Sequence, residues 1–159
     1  ETGARITAPS GAILGLDAIA AAAEAGIDSV TIRTRKPPRG LAGAPYVEAQ
    51  GIDLDGLTEP QRIFEGPVTE AIRHFPANVN VAASVSLAGI GPDRTRIEVW
   101  ADPTLERNVH EVRLAGETCN FTAQIENLPD PDNPRSSRIT ALSALAALRR
   151  IAGPVRIGT

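Results

Sequence analysis

The stretch Thr95 to Glu126 reads TRIEVWADPTLERNVHEVRLAGETCNFTAQIE. Three runs in it, Thr95–Ala101, Val109–Leu114 and Phe121–Glu126, carry the period-2 alternation of strands with one buried face. Turn signals at Asp102-Pro103 and Gly116-Glu117 separate them. Strands this close in sequence are expected to pair as an antiparallel meander.

Working outward, Ile27 to Thr34 alternates in the same way, with Val30 and Ile32 on one side and Ser29, Thr31 and Arg33 on the other. Pro37-Pro38 ends that strand, since neither proline can donate to a ladder. Before it, Pro9-Ser10-Gly11-Ala12 reads as a helix start, and the alanine-rich helix runs to Gly26. Leu41 to Pro60 has no period and reads as a long irregular segment. Arg62–Gly66 is a further short strand, and Pro67 opens a short helix ending near His74. A second helix runs from Asn78 to Gly89. After the proline-dense loop 128–134, Ser136 or Ser137 caps a last helix with an apolar stripe at Ile139, Leu142, Leu145 and Leu148, and Val155-Arg156-Ile157 closes as a strand. The expected fold class is α+β: a mixed, mainly antiparallel sheet with helices packed on one face.

The 159 residues suit one domain able to bury a core without a metal or disulfide staple. A net charge of −3 gives no general attraction to nucleic acid or to an anionic membrane. No apolar run approaches the roughly 18 residues of a membrane span. Cys119 is the single cysteine and is expected to be a small buried residue. Asn120-Phe121-Thr122 fits a glycosylation sequon, which matters only in a secreted chain. The chain contains no methionine and begins Glu1-Thr2-Gly3, so residues 1–3 read as a vector-derived remnant and residues 4–159 as the domain.

Several chemistries lack their signatures. There is no Gly-x-Gly-x-x-Gly turn, phosphate-binding loop, zinc-type spacing or Gly-x-Ser-x-Gly elbow. Gly11, before an expected helix, is a weak anion or carboxamide site. His110 stands at the entrance of a strand, and alternation puts Asn108 on its face. An amide and an imidazole together there form either an acid/base site or a satisfied structural pair. His74, at a helix end, reads as a structural contact. Asn78 and Asn80 either cap the helix that follows or hydrogen-bond a ligand.

Five ordered segments carry a family resemblance: Pro9-Ser10-Gly11-Ala12-Ile13 with Gly15-Leu16-Asp17; Thr34-Arg35-Lys36-Pro37-Pro38; Phe75-Pro76-Ala77-Asn78-Val79-Asn80; Ala101-Asp102-Pro103 with Asn108-Val109-His110-Glu111; and Ile125-Glu126-Asn127 with Asn133-Pro134. The chain resembles the C-terminal part of the L-aspartate dehydrogenases. The resemblance implies an NAD- or NADP-dependent oxidation of L-aspartate to iminoaspartate, or the reverse amination of oxaloacetate, in NAD biosynthesis. It places the catalytic histidine on His110 and the cofactor contacts on Ala12 and Asn80. Asn78, Asn108 and the Arg35-Lys36 pair become candidates for the substrate carboxylates.

The family sets a Rossmann domain before the Pro-Ser-Gly-Ala segment. The expectation is therefore that the cofactor-binding half precedes Ala4 in the parent protein, that this piece alone is inactive, and that its last helix bares an apolar face. A homodimer and a cytoplasmic location in the native parent complete the expectation. The alternative is an engineered or secreted scaffold with no enzymatic role, suggested by the N-terminal tripeptide and the sequon.

Overall fold

The computed structural model describes residues 3–4, 6–76, 79–131 and 137–155. Eleven elements follow in order: α1 (Leu16–Ala23), β1 (Ile27–Lys36), a 3-10 turn (Pro38–Gly40), α2 (Pro45–Ala49), β2 (Gln61–Pro67), α3 (Val68–His74), α4 (Asn80–Ala88), β3 (Arg96–Ala101), β4 (Asn108–Gly116), β5 (Asn120–Asn127) and α5 (Arg138–Ala152). The sheet has five strands in the order β2-β3-β1-β4-β5. β1 runs parallel to β3 and antiparallel to β4, and the outer pairings are antiparallel. The fold is thus α+β on a mixed sheet, as the alternation implied.

The meander is corrected. β4 and β5 form a hairpin, but β1 lies between β3 and β4. The connection 102–107 crosses the end of β1, where the Asp102 N–H donates to the Lys36 carbonyl at 2.8 Å. Buried Val30 and Ile32 give β1 an apolar inner face, and a strand so placed gains a neighbour on each edge.

One core joins the inner face of the sheet to α1, α3 and α4. Ile19, Ile32, Val68, Phe75, Val85, Ile97, Val99 and Val112 are within 1% of full burial. Removing such side chains from water is the main favourable contribution to folding, roughly 2 kcal/mol for each large aliphatic one. The opposite face is polar: Arg33 Nε meets Glu98 at 2.7 Å, the Trp100 indole N–H donates to the same carboxylate at 2.8 Å, and the guanidinium lies 5.6 Å from the Trp100 ring centre.

Four local expectations change. The first helix begins at Leu16, because Gly11 and Gly15 both take left-handed conformations that cannot continue a right-handed helix, so Gly11 opens no helix N-terminus. The segment 41–60 contains the short helix α2, started by Pro45. Cys119 is exposed in the β4–β5 turn instead of buried. α4 starts at Asn80 with Val79 in the capping position and no side-chain cap, so Asn80 does not cap it. Ser136, Arg156 and Ile157 lie outside the described residues; Val155, the first residue of the expected last strand, is in no strand, and Ser137 precedes α5 without a side-chain cap.

Candidate active site

Strand parity decides which polar side chains meet. In β1 the side chains of Val30, Ile32, Thr34 and Lys36 alternate onto the inner face, with Arg33 and Arg35 on the other. The ladders set Thr34 opposite His110, His110 opposite Ile125, and Asn108 opposite Asn127. Lys36, Thr34, His110, Asn108 and Asn127 therefore share one end of the helix-covered face. All five are buried, with 5, 1, 3, 8 and 3% of their surfaces exposed, in a sheet face that is otherwise apolar. A buried polar group is costly unless it is partnered, so such a cluster at strand ends marks a place where polarity serves a purpose.

The contacts within it are specific. Thr34 Oγ1 lies 3.1 Å from His110 Nδ1. The Asn127 side-chain N–H donates to the Ala12 carbonyl at 2.9 Å and so ties the 9–15 segment to the edge of the site. Gly40 stands over Lys36: a methyl at its Cα would lie 3.6 Å from Lys36 Cβ and 4.0 Å from Asn108 Oδ1.

Burial governs the electrostatics. Loss of water pushes the Lys36 ammonium down to about 8. Burial, aided by the nearby Lys36 charge, pushes the His110 imidazole down to about 3. The imidazole is thus neutral throughout the physiological range while the site is empty. The site holds a cation, a neutral imidazole, a hydroxyl and two carboxamides. It can attract an anion, donate to a carbonyl or carboxylate, and exchange a proton with a group whose charge offsets that of Lys36.

The sequence candidates separate under this geometry. His110, Asn108 and Lys36 are brought together, and Ala12 is joined to them through Asn127. Arg35 leaves the set: its guanidinium pairs with Asp102 at 2.6 Å. Burial raises the Asp102 carboxyl, but hydrogen bonds from Thr104 and Arg35 outweigh it and hold the group below the usual carboxylate range. That pair clamps the loop crossing β1 and thereby the backbone of Lys36. Asn80 is exposed at the start of α4, and among the described residues no hydrogen bond or ion pair ties it to the cluster. Asn78 lies outside the described residues. His74 packs against Tyr46, Phe64 and Phe75, with ring centres 4.9 to 6.5 Å apart.

Two members were missed as site residues. Thr34 shares the parity of Lys36 within one strand and was visible in principle. Asn127 needed the β4–β5 register, which local pattern does not supply.

Comparison with known proteins places the chain. The family described as aspartate dehydrogenase, C-terminal, matches residues 17–151. L-aspartate dehydrogenase of Methanosarcina acetivorans is 54% identical over the whole chain, which covers 59% of that relative. L-aspartate dehydrogenase 3 of Bordetella bronchiseptica is 50% identical over 98% of the chain, covering 57% of that relative. The crystal structure of aspartate dehydrogenase from Thermotoga maritima superposes with a TM-score of 0.76 at 32% identity, over 97% of this chain and 56% of that one. The chain spans a little over half the length of these relatives. It belongs to the aspartate dehydrogenase family and corresponds to its C-terminal part.

Proposed function

We propose that this chain supplies the catalytic domain, residues 4–159, of an NAD- or NADP-dependent L-aspartate dehydrogenase. The observation that carries the reading is a buried imidazole beside a buried ammonium, flanked by carboxamides, on the inner face of a family member's sheet. The reaction removes a hydride and a proton, two electrons and two protons in all, from the C–N unit of L-aspartate. A hydride leaves Cα, the amine loses a proton, and iminoaspartate forms; water then adds to the C=N bond and ammonia departs, leaving oxaloacetate.

The residues present fit the nicotinamide end of the cofactor. Ala12 is half-buried, with its carbonyl held by Asn127, and among the described residues beyond its chain neighbours no atom lies within 4 Å of where a side chain on the adjoining Gly11 would begin. A flat carboxamide-bearing ring finds both space and backbone polar groups there, with the exposed Asn80 as a second proposed contact. The pyrophosphate finds no Gly-rich cradle in this sequence, so its binding is assigned to the part of the relatives that this chain does not cover. The bound dinucleotide supplies the hydride acceptor.

The chain's own residues do the rest. Lys36 is the proposed anchor for a substrate carboxylate, and Asn108 the donor that fixes its orientation, with Asn78 proposed for the second carboxylate. Burial, the larger cause of the depressed His110 imidazole, persists in the loaded site, while a dicarboxylate beside Lys36 offsets the smaller one, the charge of the ammonium, and so favours proton uptake by the ring. The outer sheet face, with its mixed charges around Trp100, is the proposed contact of a homodimer, because a two-fold axis can set each sign against the other. A cytoplasmic location goes with this proposal.

The test is turnover of L-aspartate by the full-length protein with NAD and with NADP. His110→Ala is expected to lower kcat by at least about a hundredfold, within the range for a positioned acid–base group. Undiminished turnover would refute the role of His110, and no turnover of aspartate by the unaltered protein would refute the substrate.

A further inference from the structure

We infer that Thr34 is a positioning residue that holds His110 in the tautomer with its proton on Nε2, so that the resting site presents an N–H to its ligand. The inference rests on the proposed role of His110.

Thr34 and His110 face each other across the β1–β4 ladder, and both strands are paired on each side, which leaves neither backbone room to shift. Thr34 Oγ1 and His110 Nδ1 lie 3.1 Å apart, in side chains 1% and 3% exposed. The bond has two forms. Either the hydroxyl donates to a bare Nδ1, or Nδ1–H donates to the hydroxyl oxygen. Among the described residues, Thr34 Oγ1 has no acceptor other than this nitrogen. In the second form the hydroxyl hydrogen is left buried and unpaired, whereas in the first both groups are satisfied, so the first is favoured. The Lys36 charge acts in the same direction against a doubly protonated ring.

Nε2–H is then the working atom. In the aminating direction it donates to the developing oxyanion of oxaloacetate as ammonia adds to the carbonyl. Proton transfer needs the other nitrogen as well: with a dicarboxylate bound, Nδ1 takes a proton from solvent and Thr34 turns its hydroxyl from donor to acceptor. That imidazolium gives its Nε2 proton to the oxyanion in the aminating direction and is left with Nδ1–H, and in the oxidative direction the bare Nε2 of that form takes the proton back. A hydroxyl is the side-chain group that can do both.

The chain has two histidines, so the ring nitrogens can be assigned directly by long-range nitrogen–proton correlation NMR on the unaltered 159-residue chain at pH 7. Expected is a protonated Nε2 and an unprotonated Nδ1 on His110; a protonated Nδ1 would overturn the inference. Thr34→Val should release the preference and give averaged nitrogen shifts, while Thr34→Ser should restore it. In the full-length protein Thr34→Val is expected to lower kcat by about tenfold with KM little changed, as part of what a positioned acid–base group contributes. A Thr34→Val protein with normal kcat and an unchanged tautomer would sink the inference. Loss of His110 with no effect on turnover would sink the functional reading, whatever the tautomer.

Discussion

A lysine ammonium held 5% exposed, next to an imidazole, costs the fold some stability and must be retained for another reason. Its depression from 10.5 to about 8 has a definite sign. The unfolded chain binds this proton more tightly, so the cost is present in full below pH 8 and is relieved as pH rises from 8 to 10.5. His110 behaves alike, with stability lost as pH falls from 6.5 towards 3. Lys36→Met is therefore expected to remove the gain in stability between pH 8 and 10.5, because it removes the titrating group. It should at the same time abolish aspartate turnover in the full-length protein. Urea unfolding across that pH range and a coupled assay check the two arms, and a Met variant that keeps the pH-dependent gain would show that another group titrates there. The same shift predicts a kinetic profile. KM for aspartate should be flat below pH 8 and climb about tenfold per unit above it, as the attracting charge is lost. Lys36→Arg, which does not titrate in that range, should remain flat; a wild-type KM independent of pH up to 10 would remove Lys36 from carboxylate binding.

At the scale of elements, the glycine at the end of β4 shows how closely β1 and β4 are fitted. A methyl on Gly116 would stand 2.6 Å from the Gly26 carbonyl oxygen, and that oxygen accepts from the Glu117 N–H at 3.2 Å. Neither backbone can withdraw without breaking the link between the α1–β1 turn and the β4–β5 hairpin. Gly116→Ala is expected to destabilise the chain by about 2 kcal/mol, in the range for forced overpacking, and denaturant titration measures it. A neutral effect would mean that the hairpin end is looser than this contact allows. The same strands show what local pattern could and could not carry. Alternation was enough to find β1, β3, β4 and β5 and to put Asn108 beside His110, because the period is written in neighbouring residues; β2, in which the adjacent Ile63 and Phe64 are both buried, does not alternate. The insertion of β1 between β3 and β4 was not legible, since it depends on pairing across more than sixty positions. For that reason Thr34 and Asn127 stayed outside the expected site although both stood within quoted motifs, and Arg35 stayed inside it although its parity points away. The helix start failed on a smaller point: Ser10-Gly11 resembles a cap, and only the left-handed Gly15 shows where α1 can begin.

Across the whole molecule the elements divide into two kinds. α1, α3 and α4 each bury apolar side chains against the sheet, whereas α5 buries none among fifteen residues. Leu142, Leu148 and Ile151 are 62, 65 and 57% exposed, and Ile139 and Leu145 more than 40%. α5 meets the rest of the chain through the Gly11 N–H donating to Ser143 Oγ at 3.0 Å and along a cleft of about 430 Å³ between residues 7–17 and Ser143, Ala146, Ala147 and Arg150. A continuous apolar row of this kind in water favours association, because each leucine covered by a neighbour gains roughly 2 kcal/mol at most. The 159-residue chain is therefore expected to show an apparent mass that rises with concentration in light scattering. Leu142→Gln with Leu148→Gln should suppress the part of that rise beyond a dimer, since the proposed two-fold contact on the outer sheet face is left intact. Because neither side chain is buried in the monomer, the pair should leave the unfolding midpoint within about 0.5 kcal/mol of its original stability. If the double variant associates as before, the contact lies elsewhere, and the charged outer face around Arg33, Glu98 and Trp100 is the surface to alter next. If it instead loses stability strongly, α5 is packed more firmly in solution than its exposure implies, and the cleft beneath it is closed.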